Sequence, residues 1–456
     1  MTNQKYYALL KRNINFWNSW RDKEQIDQPD LRGINLNNTN LVNANLSNVN
    51  LSGTNLIDAN LSNANLDGAD LTNANLTRAS LTGASLNGAN LTGAILIAAN
   101  PRGAKLVGSN LNLANFSQAD LRVANFNSAD LTGANLSQAN LSGADFCGAT
   151  LIRADLSLAN LEGAILRDAN LSRAYLFKTQ LKNANLRGAD LSEANLNKAN
   201  FQRASLIEAD FVEANLVQAN FQGANLSRAN LTEADLFESN FFQANLMEAD
   251  LSRADLSKAN FSHSNLAKTT LIETRAWLTD FKGCILTGAC LENWQINHNT
   301  IFDGVICDYV YLQYGQQKRR PQNLQQNFAL GEFKNLIEHF LGTIDLVFES
   351  GVDWEVFLKA FEKLQLEAKK NKIYVKSIEA IPNNKLVVKL HVPLALNTQT
   401  VKKSFWHKYR LILLAKQKKI ILKQEEFKYQ NQKNTELLEM MKLLAKQEEN
   451  IFLSYS

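Results

Sequence analysis

Ala64-Asn65-Leu66-Asp67-Gly68-Ala69-Asp70-Leu71-Thr72-Asn73-Ala74-Asn75-Leu76 is the stretch that decides the fold. Leu returns at every fifth place. Ala stands two places before it, and Asn or Asp one place before it. Outward from this stretch the frame runs from Leu31 to Ile306, with Leu or Phe in most slots. Period five suits neither regular element. Five residues of helix advance about 500°, so the leucines would wander around the axis. In a strand an odd period sends successive leucines to opposite faces. The frame requires a backbone that turns once per pentapeptide, so that coils stack into a solenoid.

Phenylalanines give the number of sides. Phe201, Phe221, Phe241, Phe261 and Phe281 are spaced by 20, as are Phe126 and Phe146. Rings stacked coil on coil give that spacing if each coil has four pentapeptides. The frame then holds about 14 coils. Charge separates inside from outside. From Ile34 to Ile306 neither the Leu/Phe column nor the Ala column contains Asp, Glu, Lys or Arg. An unpaired buried charge is costly, so these two columns are inward and the other three outward.

Tandem A(D/N)LXX of this kind resembles the pentapeptide-repeat family, over about three-fifths of the chain. The resemblance implies a mainly β fold, a right-handed quadrilateral β-helix with the Leu/Phe and Ala positions inside. Residues 286–321, including Gly304-Val305-Ile306-Cys307-Asp308-Tyr309-Val310-Tyr311-Leu312 and Arg319-Arg320-Pro321, resemble the repeat-end segment of cyanobacterial members. Trp17-Asn18-Ser19-Trp20-Arg21 resembles their N-termini.

The frame has expected flaws. Pro101 takes a Leu slot and cannot donate a backbone bond, which predicts a local fault or bulge. Ala276 takes another slot, before Trp277. Trp294, Asn299 and Gly304 replace the inward Ala in the last turns.

Flanking segments complete four expected regions. Residues 1–30 read as one amphipathic capping helix, with Tyr6, Leu10, Ile14, Trp17 and Trp20 at helical spacing, and a connector. The repeat occupies 31–312. Residues 325–396 read as a small α/β domain. One helix carries Phe333, Leu336, Ile337 and Phe340. A second follows an Asp353 cap, with Trp354, Phe357, Leu358, Phe361 and Leu364. A hairpin of 373–381 and 386–392 turns at Pro382-Asn383-Asn384 and closes at Pro393. Residues 397–456 form a Lys-rich helical tail. It is read as a helical hairpin whose Leu437, Met441 and Leu444 could make a homodimeric coiled coil.

The 456 residues allow two or three domains. The net charge of +4 is unevenly placed: −5 from Leu31 to Ile306, but +8 from Cys307 to Ser456. Residues 1–30 lack a secretory apolar stretch, and no apolar run of about 18 residues exists, so no membrane span is expected. Cys147, Cys284, Cys290 and Cys307 form no CxxC pair, which fits a reduced, cytoplasmic chain.

No catalytic constellation stands out. His263, His298, His339, His391 and His407 are scattered, without metal-ligand spacing. No phosphate loop or nucleophile elbow is present. Neither cofactor nor metal is expected, and the chain is read as not an enzyme. Cys284 fills an inward Ala slot, while Cys290 and Cys307 fall in outward columns. The marked surface feature is a run of acids, Glu208, Asp210, Glu213, Glu233, Asp235, Glu238, Glu248 and Asp250, against only Arg228. It follows a basic run of Arg167, Arg173, Lys178, Lys182, Arg187, Lys198 and Arg203. These acids are the candidate interaction surface.

The leading expectation is a non-enzymatic scaffold that recruits or positions a protein partner. The alternative comes from the family resemblance, since some members mimic DNA with an acidic rod that occupies a topoisomerase. Here lysines and arginines interrupt the acids, and a mimic needs a sustained phosphate-like field. The basic patch Lys416-Gln417-Lys418-Lys419-Ile420-Ile421-Leu422-Lys423 lacks the aromatic interleaving of a single-strand binder. Direct nucleic-acid binding is therefore not expected.

Overall fold

The structure, a computed structural model, describes residues 3–23, 28–297, 299–329, 331–349, 351–368, 373–381, 385–392 and 396–452. The chain divides into two compact units, Met1–Lys334 and Asn335–Ser456.

The first unit is built by the pentapeptide. The residue before each Leu pairs in parallel with the residue 20 places on, from Asp30↔Asn50 through to Asp255↔Arg275. One side of one coil shows the wiring. The Leu66 amide donates to the Ser85 carbonyl at 2.6 Å, and Gly68 to Asn87 at 2.9 Å. Asn65 donates back to Ala44 at 2.9 Å. The turn closes within the coil, Ala69 amide to Leu66 carbonyl at 3.0 Å. Asn and Asp precede Leu for a local reason. Their Oδ1 accepts the amide two residues on, as Asn65 does from Asp67 at 3.0 Å, which fixes the bend. The second residue after Leu has positive φ whether it is Gly68 (65°) or Gln218 (58°).

Inside, the Leu/Phe column is almost fully excluded from solvent. Phe201 stacks on Phe221 at 4.8 Å, Phe221 on Phe241 at 4.6 Å and Phe241 on Phe261 at 4.5 Å. Where Thr replaces the inward Ala, its hydroxyl finds a carbonyl: Thr179 Oγ1 donates to Leu156 O at 2.8 Å. This satisfies a polar group that would otherwise be costly to bury.

Two expected flaws prove mild. No bulge forms at Pro101. The coil keeps its register through Ser80↔Asn100 and Lys105↔Asn125. Asp120 still donates to Ala99 at 2.9 Å, and Gly103 to Arg122 at 3.0 Å. Only the bond that needs a proline N–H is missing. Ala276 is fully buried in β1 (Arg275–Ala276), which pairs in parallel with β2 (Gln295–Ile296).

The frame itself ends earlier than its sequence suggests. One extra residue enters after Ile296, so later pairs are 21 apart: Asp280↔Ile301, Ile285↔Ile306 and Cys290↔Tyr311. Ile301 and Ile306 therefore face outward, 42% and 56% exposed. Phe302 takes the inner slot and stacks on Phe281 at 5.5 Å. Asn299 is an exposed turn residue, and Thr300 takes the inward place, donating to Ala276 O at 2.7 Å. A wider turn accommodates the insertion, with the Asn297 side chain accepting from Leu278 N at 3.2 Å. Trp294 wedges against Phe281 and Phe302 at 5.3 and 5.6 Å. Beyond lies a hairpin of β3 (Val310–Gln313) and β4 (Gln317–Arg320). Arg319, 8% exposed, donates to the carbonyls of Pro321, Asn323 and Gln326 and lies 4.3 Å over the Tyr309 ring.

At the N-terminus two helices stand where one was expected, α1 (Asn3–Arg12) and α2 (Ile14–Lys23). Asn13 divides them, its Oδ1 accepting from Asn15 N at 2.7 Å as an N-cap. Tyr6 and Trp17 both pack on Trp20. Trp17 Nε1 donates to Asn45 O at 2.8 Å, and Asn18 Oδ1 accepts from Asn45 N at 2.8 Å.

The second unit holds most of α3 (Glu332–Leu341), then β5 (Thr343–Phe348), α4 (Trp354–Glu367), β6 (Tyr374–Ile381), β7 (Lys385–His391) and α5 (Thr398–Phe452). The sheet has three antiparallel strands in the order β5-β7-β6, one more than the expected hairpin. The extra strand is Thr343–Phe348, whose Ile344, Leu346 and Phe348 face the core. Asp353 caps α4, accepting from Val356 N at 3.2 Å. The core also takes Val356, Phe357, Ala360 and Leu364 of α4 and Val401, Phe405 and Tyr409 of α5. No helical hairpin follows. Thr398–Phe452 is one helix of 55 residues, because no Gly or Pro interrupts it. The expected turn at 382–384 and Pro393 lie outside the described residues, as does the side chain of Leu444.

Candidate interaction surface

Coils of 20 residues change how a surface is read. Neighbours on one face are 20 apart, while 40 consecutive residues encircle the solenoid twice. We number the four faces from their inner residues, in chain order: Phe201, Leu206, Phe211 and Leu216. The eight acids then divide. Glu208 and Glu248 lie on the second face, Asp210, Glu213, Glu233 and Asp250 on the third, and Asp235 and Glu238 on the fourth. The seven basic residues before them are spread over all four.

Most of these acids are engaged. Asp210, Asp235 and Asp250 accept from amides of their own bends, Val212, Phe237 and Ser252, at 3.0, 3.1 and 2.8 Å. Glu208 is held by Arg187 and Arg228 at 3.3 and 2.8 Å. Glu233 meets Arg253 at 2.6 Å, Glu238 meets Lys258 at 3.0 Å and Glu248 meets Lys268 at 3.2 Å. Gln218 and then Lys258 hold Glu238 below the usual carboxylate range. Exposed pairs of this kind contribute little stability. Their larger effect is to cancel the acidic field locally. Glu213 has no ion pair among the described residues.

The fourth face carries a feature that linear reading missed. Tyr175, Phe177, Val217, Phe237, Trp277 and Leu278 lie on it, with Tyr175 53%, Trp277 39% and Leu278 47% exposed. Cations lie over its rings: Lys178 at 5.1 Å from Phe177, Lys258 at 4.7 Å from Phe237, and Arg275 at 5.0 Å from Trp277. Arg275 also pairs with Asp255 at 2.9 Å. Aromatic rings and arginine, as in the Trp277–Arg275 pair, are enriched at the centres of protein interfaces. The signal was available in the sequence: 177, 217, 237 and 277 differ by multiples of 20. The first face differs in kind, with amides stacked from Asn200 through Asn220 and Asn240 to Asn260 at 3.2–3.4 Å.

The remaining candidates resolve into structure. His263 is edge-on to Phe242 at 5.8 Å, while His298 and the side chain of His339 lie outside the described residues. Among the described residues no group of His, Cys, Asp and Glu could hold a metal ion. Cys284 is buried, and burial raises its thiol pKa. Cys307, expected outward, is only partly exposed because the one-residue shift gives it an inner slot; burial pushes its thiol up to about 12. Lys416 of the basic patch meets Asp353 and Glu355 at 3.0 and 2.7 Å. No helix among the described residues is long and apolar enough to cross a membrane.

Comparison with curated protein sequences returns no match. The solved structures include a pentapeptide repeat protein, HetL, involved in heterocyst differentiation regulation in the cyanobacterium Nostoc sp. It is 26% identical, covers 65% of this chain and 95% of its own, and has a TM-score of 0.17. A full-length plasmid-mediated fluoroquinolone resistance protein, QnrB1, is 16% identical, with 62% and 92% covered and a TM-score of 0.15. A pentapeptide repeat protein from the Arabidopsis thaliana thylakoid lumen is 32% identical over 25% of this chain and 69% of its own, with a TM-score of 0.13. The family model described as pentapeptide repeats matches in overlapping copies from residue 30 to 246 and again over 259–293. A match over more than half of the chain, on coils with four five-residue sides, makes this protein a member of the pentapeptide repeat family, whose fold is a right-handed quadrilateral β-helix.

Proposed function

We propose that the chain is a non-enzymatic scaffold whose solenoid, of about 14 coils, docks a protein partner on its fourth face. The observation that carries this reading is the aromatic and cationic column from Tyr175 to Leu278. A stacked solenoid offers such a face as a rigid, preformed surface, so little ordering opposes binding. Asp235 and Glu238 share this face, and the other six acids lie on the second and third. The pairing of Glu208, Glu233, Glu238 and Glu248 with cations on adjoining coils favours protein docking over imitation of a nucleic acid. In this reading α1 and α2 are the cap of the first coil, meeting backbone groups that no earlier coil can satisfy. Beyond Lys416, α5 supplies a second docking element, with Ile420, Phe427, Leu437 and Met441 exposed for a helical partner. Four free thiols fit a reducing compartment such as the cytoplasm.

The test is a paired capture from native lysate with the full chain and with the triple variant Tyr175→Ser, Phe237→Ser, Trp277→Ser. A protein retained by the native chain and lost by the variant is the expected result. Identical recovery by both would remove the fourth face from the account.

A further inference from the structure

Strand β6 is the least covered part of the second unit's sheet. It is an edge strand, paired among the described residues only with β7. Its pairing with β7 fixes which side chains share the core face. Val375 stands opposite Leu390, Ile378 opposite Val388 and Ala380 opposite Leu386. Leu390 and Val388 are fully buried, yet Val375 and Ile378 are 37% and 52% exposed. Among the described residues the apolar layer thus runs off the β6 edge uncovered. Helix α4 extends it. Trp354, Leu358, Phe361 and Gln365 fall on one stripe, and Gln365 Nε2 donates to Ile373 O at 3.0 Å, at the entrance to β6. Trp354 and Leu358 on that stripe are 43% and 62% exposed. A long apolar edge without a cover is a template for strand addition.

The occupant can be read from the edge itself. A register shift between Val375 and Ser377 makes Lys376 an extra residue. Counted with that bulge, the strand is symmetric about Ile378. Glu379 lies one step to one side, and Ser377 with Lys376 one step to the other. Ala380 matches Val375 at two steps, and Ile381 matches Tyr374 at three. Every matched pair lies on the same face of the sheet, as antiparallel neighbours must. Charge follows the same symmetry, since Lys376 of one strand would meet Glu379 of the other, twice. Lys376 has no ion pair among the described residues, while Glu379 already lies 3.0 Å from Lys389.

We propose that two copies of this chain join through β6, antiparallel about Ile378, to make a continuous six-stranded sheet. Ile378 packs on the partner's Ile378, and Lys376 pairs with the partner's Glu379. This is a separate surface from the solenoid's fourth face and does not depend on it.

Sedimentation of the full chain tests the pairing, with Lys376→Glu, Glu379→Lys and the double exchange. The native chain is expected at dimer mass. Each single exchange sets like charges opposite one another and should halve that mass. The double exchange restores complementarity and should restore the dimer. Circular dichroism identical to native shows that a dissociated variant is folded. A native monomer overturns the proposal. So does a dimer undisturbed by either single exchange, which would place self-association on α5.

Discussion

At the residue scale the inward columns carry the stability. Phe221 is fully buried, stacked between Phe201 and Phe241, with Phe211 edge-on at 6.2 Å. Phe221→Ala empties a site that stacked coils can hardly collapse to fill, so it should cost about 3–5 kcal/mol in urea unfolding. Asn220→Ala, on the surface amide ladder, should cost far less. The inward residues were legible because one charge in those columns would have betrayed an error. Their exceptions were less so. Cys307 and Ile306 exchange inside for outside through a single added residue, and nothing in the pattern after Ile296 marks where it enters. Phe302, only a neighbour of a Leu slot in the sequence frame, proved to be the inner residue.

At the element scale, legibility depended on what stops an element. Asp353 announced the start of α4 because a capping side chain is local chemistry. The division of α1 from α2 at Asn13 is equally local, but the apolar spacing of Tyr6 to Trp17 masked it. The three-stranded sheet was only partly readable, since Thr343–Phe348 is short and follows α3 directly. The start of α4 is also fastened to α5. Lys359 and then Lys416 hold Glu355 down at about 2, and Lys416 with the Val356 amide lowers Asp353. Carboxyls depressed in the folded state stabilise it above their ordinary range. They lose that contribution as pH falls through their folded values. Unfolding of the second unit should therefore become easier as pH drops from about 4.5 towards about 2. Lys416→Met should weaken this dependence and lower the denaturant midpoint at neutral pH, as read by circular dichroism. An unchanged acid limb would mean that the link between α4 and α5 is inert.

At the scale of the whole molecule the difficulty was one of projection. The repeat, its period and its four sides were written in the sequence. The surface was not, because contiguous residues wrap around the solenoid and separate residues gather on one face. The acidic run thus spread over three faces, while Tyr175, Phe237 and Trp277 gathered on one. That gathering is the central claim, and side-chain oxidative footprinting reads it most directly, since exposed aromatic rings react readily with hydroxyl radicals. The full chain would be footprinted alone and with the partner it retains from lysate. The account predicts protection of Tyr175, Phe237, Trp277 and Leu278 in the complex, with Leu113 and Tyr314, each 68% exposed, still reactive. A fourth face oxidised equally in both states, with protection elsewhere, would contradict it.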